Sequence, residues 1–206
     1  IIEEEVYRLD NKISEEKKDI VLTEKQKEIT NTIINSINHN NIFLLYGVTG
    51  SGKTEVYIEV IKNVLKKGKQ AIMLVPEISL TPQMVSRFTN VFGDDIAVLH
   101  SGLSNGEKYD EYRKIINGEV NIVIGARSAI FAPLKNIGVI IIDEEHTSSY
   151  KQDNHPRYNA IDIAKVRSKT HNCPLILGSA TPSLESYARA KKGVYKLLEL
   201  KTRVGK

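Results

Sequence analysis

Cysteine, tryptophan and methionine are scarce in this chain: one Cys, no Trp and two Met in 206 residues. With Cys173 alone, no disulfide can close within it and no multi-cysteine zinc site can form, so zinc is not an expected cofactor and a reducing compartment fits. No charge-free apolar run approaches the roughly 20 residues that a membrane-spanning helix needs. The opening residues 1–19 hold seven acids against four bases, which is not the basic-then-apolar order of a signal peptide. The expected setting is therefore cytoplasmic, with no membrane partner. Internal repeats and low-complexity stretches are missing as well. So is a strong charge of either sign, since 29 Lys and Arg against 25 Asp and Glu leave a net charge of +4. Only residues 187–206 are distinctly basic, with seven bases and Glu199, and such ends are more often solvated than nucleic-acid sites.

Of the 206 residues, 41% are hydrophobic, enough for one α/β domain and too few for two. Residues 1–20 are charged and mixed, and are expected to be a linker or lead-in from an upstream domain. The chain opens on Ile1 rather than Met, so the expectation is a piece of a longer protein. Residues 21–206 form the expected domain.

The most informative stretch is Ile42 to Thr54, I-F-L-L-Y-G-V-T-G-S-G-K-T. The apolar run from Ile42 to Tyr46 has the length of a strand covered on both faces. It leads into G-x-x-x-x-G-K-T, that is Gly47, Val48, Thr49, Gly50, Ser51, Gly52, Lys53 and Thr54. The glycines permit a tight turn whose backbone N–H groups converge, and a helix beginning at Lys53 adds its positive dipole end. Such a loop binds phosphate, with Lys53 reaching the β/γ-phosphates and Thr54 ligating Mg²⁺. The following segment to Lys67 is largely apolar at helical spacing and closes at Gly68, a helix stop signal.

Helices are expected over Leu22 to Asn38 behind an N-cap at Thr23, over Thr81 to Phe92, over Ser104 to Asn117, over Ile161 to Ser168 and over Ser183 to Lys192. Strands are expected at Ala71 to Val75, Ile96 to Leu99, Val120 to Ile124, Val139 to Ile142 and Leu175 to Leu177. This alternation predicts an α/β domain, a central mostly parallel sheet with helices on both faces. The run I-I-I-D-E-E-H, Ile140 to His146, ends its strand in acids. Asp143 is placed to hold Mg²⁺ opposite Thr54, and Glu144 to orient or deprotonate the attacking water. An acid cluster at a strand end is often merely solvated; its pairing with an upstream phosphate loop favours the catalytic reading.

Seven stretches carry a resemblance. They are L-T-E-K-Q at Leu22 to Gln26, G-V-T-G-S-G-K-T-E-V-Y at Gly47 to Tyr57, L-V-P-E-I-S-L-T-P-Q at Leu74 to Gln83 and H-S-G-L-S at His100 to Ser104. G-A-R-S-A-I-F-A-P at Gly125 to Pro133, D-E-E-H-T-S-S-Y-K-Q at Asp143 to Gln152 and G-S-A-T-P-S-L-E-S at Gly178 to Ser186 complete the set. In this order they resemble the superfamily-two helicases, and within them the bacterial replication-restart branch, over roughly Leu22 to Lys201. The resemblance implies a RecA-like P-loop NTPase fold, motor lobe one without the second lobe. It implies ATP and Mg²⁺ as cofactors, forked and single-stranded DNA as substrate, and three-prime to five-prime unwinding. Its partners would be the second lobe and other domains of the same parent, with the primosome and single-strand-binding proteins. Gln26 would contact adenine, the segments around Pro76-Glu77 and Gly125-Arg127 would face nucleic acid, and Ser179 and Thr181 would link ATP and DNA. The chain departs from the family pattern at Ser79, Ala126 and Ile161, where glycine, threonine and arginine are usual.

The loop from Thr147 to Tyr158 is long for a strand-to-helix connection, where about two to six residues are usual. Tyr150 and Tyr158 offer faces for base stacking, and Lys151, Arg157 and Arg127 offer charge to phosphates. It is expected to sense DNA next to Glu144; the bland alternative is a polar surface loop. Two other classes stand beside the helicase lobe. One is a P-loop kinase or GTP switch, against which no N-K-x-D motif follows the acid strand. The other is a non-hydrolysing nucleotide- or DNA-binding module, including an isolated lobe that binds ATP with little turnover.

Overall fold

The computed structural model describes residues 21–204; the expected lead-in at 1–20 lies outside them. Helix α1 (Glu24–Ile34) opens on a capping box. The Thr23 hydroxyl accepts from the Gln26 N–H, and Gln26 Oε1 accepts from the Thr23 N–H at 2.8 Å, which satisfies two donors that a helix start otherwise leaves bare. Strand β1 (Ile42–Gly47) runs into the phosphate loop and α2 (Lys53–Lys66). There follow β2 (Gln70–Leu74), α3 (Pro82–Phe92), β3 (Ile96–Leu99), α4 (Asn105–Asn117), β4 (Ile122–Gly125) and β5 (Ile137–Ile142). A short hairpin, β6 (Lys151–Gln152) with β7 (Tyr158–Asn159), precedes α5 (Ala160–Thr170), β8 (Leu175–Ser179), α6 (Leu184–Lys191) and β9 (Lys196–Leu200).

Seven strands form one sheet in the order β3-β4-β2-β5-β8-β1-β9, and every pairing in it is parallel. Successive side chains of a strand face opposite sides, so an unbroken apolar run must be covered twice. In β5, Val139 and Ile141 join the core beneath α1, α2 and α3. Ile140 and Ile142 join the core beneath α4, α5 and α6. The expected α/β architecture, with helices on both faces, is the observed one.

Boundaries differ from expectation at α1 and at β4. Helix α1 stops at Ile34 rather than Asn38, and turns cover the remainder. Strand β4 starts at Ile122 rather than Val120, because Asp95 Oδ1 accepts from both the backbone N–H and the side-chain amide of Asn121, at 2.7 and 3.0 Å. Only Phe88 of α3 is fully buried; Met84 and Val91 pack at the margin of the core. Strand β9 is an addition to the expected set. It pairs along β1 from Phe43↔Lys196 to Gly47↔Leu200, although its residues belong to the basic stretch expected to be solvated.

Candidate functional site

Strands β5, β8 and β1 are neighbours in the sheet, so their carboxyl ends bring the acid motif, the G-S-A-T-P turn and the phosphate loop side by side. Ligands of open parallel sheets bind at such ends. In the loop, Gly50 and Gly52 have φ of 78° and 81°, the left-handed region that glycine enters freely. Lys53 is buried and its Nζ donates to the Gly47 carbonyl at 2.8 Å, while Glu144 Oε1 lies 3.9 Å away. Ser51 Oγ is buried without a hydrogen-bond partner among the described residues. An unpartnered hydroxyl beside a buried ammonium, at the start of a 14-residue helix, fits a phosphate chain. Thr54 follows Lys53 in the first turn of that helix, and Asp143 directly follows β5; a hydroxyl and a carboxylate are oxygen donors of the kind that suit Mg²⁺.

Asp143 is held from two sides. Tyr57, fully buried on α2, donates its hydroxyl to Asp143 Oδ1 at 2.9 Å, and the Tyr150 hydroxyl donates to the Asp143 carbonyl at 2.5 Å. Burial pushes the Asp143 carboxyl above the usual carboxylate range, and the Glu144 charge adds to this. The Tyr57 bond and Lys53 pull the other way. Glu144 itself has φ of 48°, a left-handed conformation that a residue with a Cβ rarely adopts. Its Oε2 lies 3.5 Å from His146 Nδ1. That same nitrogen is 2.8 Å from Ser179 Oγ, the Thr181 N–H donates to Ser179 Oγ at 2.9 Å, and Thr181 Oγ1 is 3.4 Å from His146 Nε2. His146 therefore bridges the acid motif and the Ser179–Thr181 turn.

Three residues missed at the level of sequence belong to this arrangement. Glu145 is 3% exposed. It accepts from the Ser183 N–H at 2.7 Å, from Ser183 Oγ at 3.1 Å and from Ser186 Oγ at 2.9 Å, closing the N-terminus of α6. The S-x-x-S spacing of Ser183 and Ser186 was its one available signal. Tyr57 and Gly178 form the other pair: a Cβ at Gly178 would lie 1.7 Å from the Tyr57 hydroxyl oxygen.

Other residues expected at the site take up the following positions. Gln26, expected to contact adenine, is 1% exposed. Its Oε1 is held by Thr23, and its Nε2 donates to the Ser51 and Gly52 carbonyls at 3.0 and 3.4 Å, so it ties α1 to the phosphate loop. Tyr150, expected to stack on bases, is also 1% exposed; its ring lies in the core and its hydroxyl steadies Asp143. Arg127, expected to meet phosphate, donates to the Ser149 carbonyl at 3.3 Å, the Lys151 carbonyl at 2.6 Å and Gln152 Oε1 at 3.0 Å. Its guanidinium sits 5.6 Å from the centre of the Tyr158 ring, and Tyr158 packs edge-on against Phe131. The loop after the acid motif is thus a small hairpin fastened to the end of β4. Lys151 and Arg157 are exposed on it, and Arg157 Nε donates to the Asp153 carbonyl at 2.9 Å. A cleft of about 360 Å³ opens beside it, lined among others by Glu77, His100, Lys108, Arg127 and Tyr158. The Ser101 N–H donates to Glu77 Oε1 at 2.9 Å; hydrogen bonding from the Ser101 side chain and then from this N–H holds the Glu77 carboxyl below its usual range.

Residues 19–184 match the family described as "Type III restriction enzyme, res subunit". The replication restart protein PriA of Bacillus subtilis (strain 168) is 59% identical over 98% of this chain and 26% of its own length. PriA of Synechocystis sp. (strain ATCC 27184 / PCC 6803 / Kazusa) is 54% identical over 81% of this chain and 20% of its own. The chain thus spans about a quarter of the length of these relatives. Among solved structures, RecG bound to a three-way DNA junction superposes with a TM-score of 0.63 at 26% identity, over 90% of this chain and 24% of that one. With three motifs meeting at one end of a parallel sheet and this degree of identity, the chain belongs to the superfamily-two helicase-domain family and is a homologue of the replication restart protein PriA.

Proposed function

We propose that this chain is the ATP-binding motor lobe of a DNA helicase that couples ATP hydrolysis to three-prime to five-prime unwinding in replication restart. The observation that carries the reading is the bridge at His146, which ties the hydrolytic Glu144 to Ser179 and Thr181. A small-molecule kinase would not need that link. ATP and Mg²⁺ binding is general to the family. Here the nucleotide-binding residues are Gly47 to Thr54, and Thr54 and Asp143 hold the metal. When bound, Mg²⁺ supplies positive charge to the phosphate oxygens. Lys53 holds the β/γ-phosphates, Glu144 takes a proton from the attacking water, and His146 relays its position to the Ser179–Thr181 turn. Lys151, Arg157 and Tyr158 face DNA from the hairpin, with Arg127 and Tyr150 coupling that hairpin to Asp143.

Turnover belongs to a longer protein with a second lobe, working in the cytoplasm with forked DNA, the primosome and single-strand-binding proteins. The share of the relatives that this chain spans favours ATP binding with little turnover by the chain alone. In the full-length protein, Glu144→Gln should retain ATP and DNA binding and lose ATP-driven unwinding of a fork. Hydrolysis at the parental rate in that variant would remove Glu144 from the base role.

A further inference from the structure

The segment after β9 passes along the outside of the phosphate loop and bonds to it at both ends. The Val48 N–H donates to the Leu200 carbonyl at 3.2 Å, and the Val204 N–H donates to the Gly50 carbonyl at 2.9 Å. Three glycines of the loop face this segment. A Cβ at Gly47 would lie 3.2 Å from Leu200 Cβ, one at Gly52 3.2 Å from Val204 Cγ2, and one at Gly50 3.9 and 4.0 Å from Arg203 Cγ and Cδ. The aliphatic stem of Arg203 therefore crosses Gly50. Its side chain is exposed, and among the described residues its guanidinium makes no ion pair. An unpaired arginine in a terminal segment is ordinarily solvated, but this one is carried to the loop by two backbone hydrogen bonds. The loop has one buried cation of its own, Lys53, to set against the several negative charges of a nucleotide di- or triphosphate.

We propose that Arg203 is a second phosphate-binding cation of the nucleotide site, delivered by a strap formed by Leu200 to Val204. The proposal rests on the nucleotide-binding reading above. Arg203→Ala should weaken ATP and ADP about tenfold in calorimetry, as expected for loss of one charge-assisted hydrogen bond. The loss should extend to inorganic tripolyphosphate, which has neither base nor sugar, and should shrink as salt is raised. Arg203→Lys should restore most of the affinity. A chain ending at Lys201 should lose at least as much as Arg203→Ala while melting, without nucleotide, at the same temperature, because residues 202–204 are exposed. Parental affinity in Arg203→Ala or in the shortened chain would overturn the proposal, as would a loss seen with ADP and not with tripolyphosphate. An unaltered chain that binds no nucleotide, or one whose binding ignores Lys53→Ala, would instead overturn the nucleotide-binding reading itself.

Discussion

Gly178 is the position where the packing leaves least room. It lies in β8 opposite Leu45 of β1, and a methyl group there would come within 1.7 Å of the Tyr57 hydroxyl oxygen, 3.0 Å of Tyr57 Cζ and 3.2 Å of Asp143 Oδ1. Tyr57 is fully buried between α2 and the sheet, so Gly178→Ala forces the ring, the strand or both to move. Overpacking of this kind costs about 1–3 kcal/mol. Displacing the hydroxyl also breaks its bond to the Asp143 carboxylate, worth about 1.5–3 kcal/mol for a charged acceptor. Together these give about 2.5–6 kcal/mol, or a fall in Tm of roughly 5–24 °C for a domain of this size. Urea and thermal unfolding of the variant measure it directly. A double-variant cycle isolates the cause, because Tyr57→Phe removes the oxygen that the methyl would meet. Gly178→Ala with Tyr57→Phe should therefore be more stable than the sum of the single effects predicts. A Gly178→Ala chain as stable as the parent, or strict additivity in the cycle, would refute the reasoning.

Glu145→Ala should destabilise the chain by about 1–3 kcal/mol in urea unfolding, because it strips three hydrogen bonds, one of them buried, from the start of α6; Glu145→Gln, which keeps one acceptor oxygen, should lose less. Cys173 is buried and burial pushes its thiol up to about 11. The native chain should therefore fail to react with a disulfide reagent at pH 8 and react fully once unfolded; rapid modification of the native chain would contradict the burial.

Much of the site was legible because its signals are local. The phosphate loop is a run of consecutive residues, and the acids after Ile142 follow an apolar strand directly. Burial decided by distant partners was not legible. Tyr150 in a polar loop looks exposed until the chain folds its hydroxyl back onto the Asp143 carbonyl. Gln26 gives no sign in the sequence that its amide meets the Ser51 and Gly52 carbonyls. Arg127 reads as a free charge, whereas its three acceptors come from the loop more than twenty residues further on. Strand β9 was hidden for another reason. It is an edge strand of five residues with Lys196 and Glu199 among its leucines, so pairing with β1, rather than a continuous apolar run, makes it a strand.

The sheet order also fixes when the phosphate loop can be completed. Among the described strands β1 is the first to be synthesised, yet its two neighbours are β8 and β9, the last two: Ile42 pairs with Leu175, and Phe43 with Lys196. The glycine-rich loop after β1 thus leaves the ribosome with neither neighbouring strand beside it, and it waits until β8 and β9 have followed. Closing so long a stretch comes late in folding, because its entropy must be overcome before any pairing rewards it. A cut anywhere between β5 and β8 would part the loop from both of its neighbouring strands, so an ordered loop is a signal that β1 has met β8 and β9.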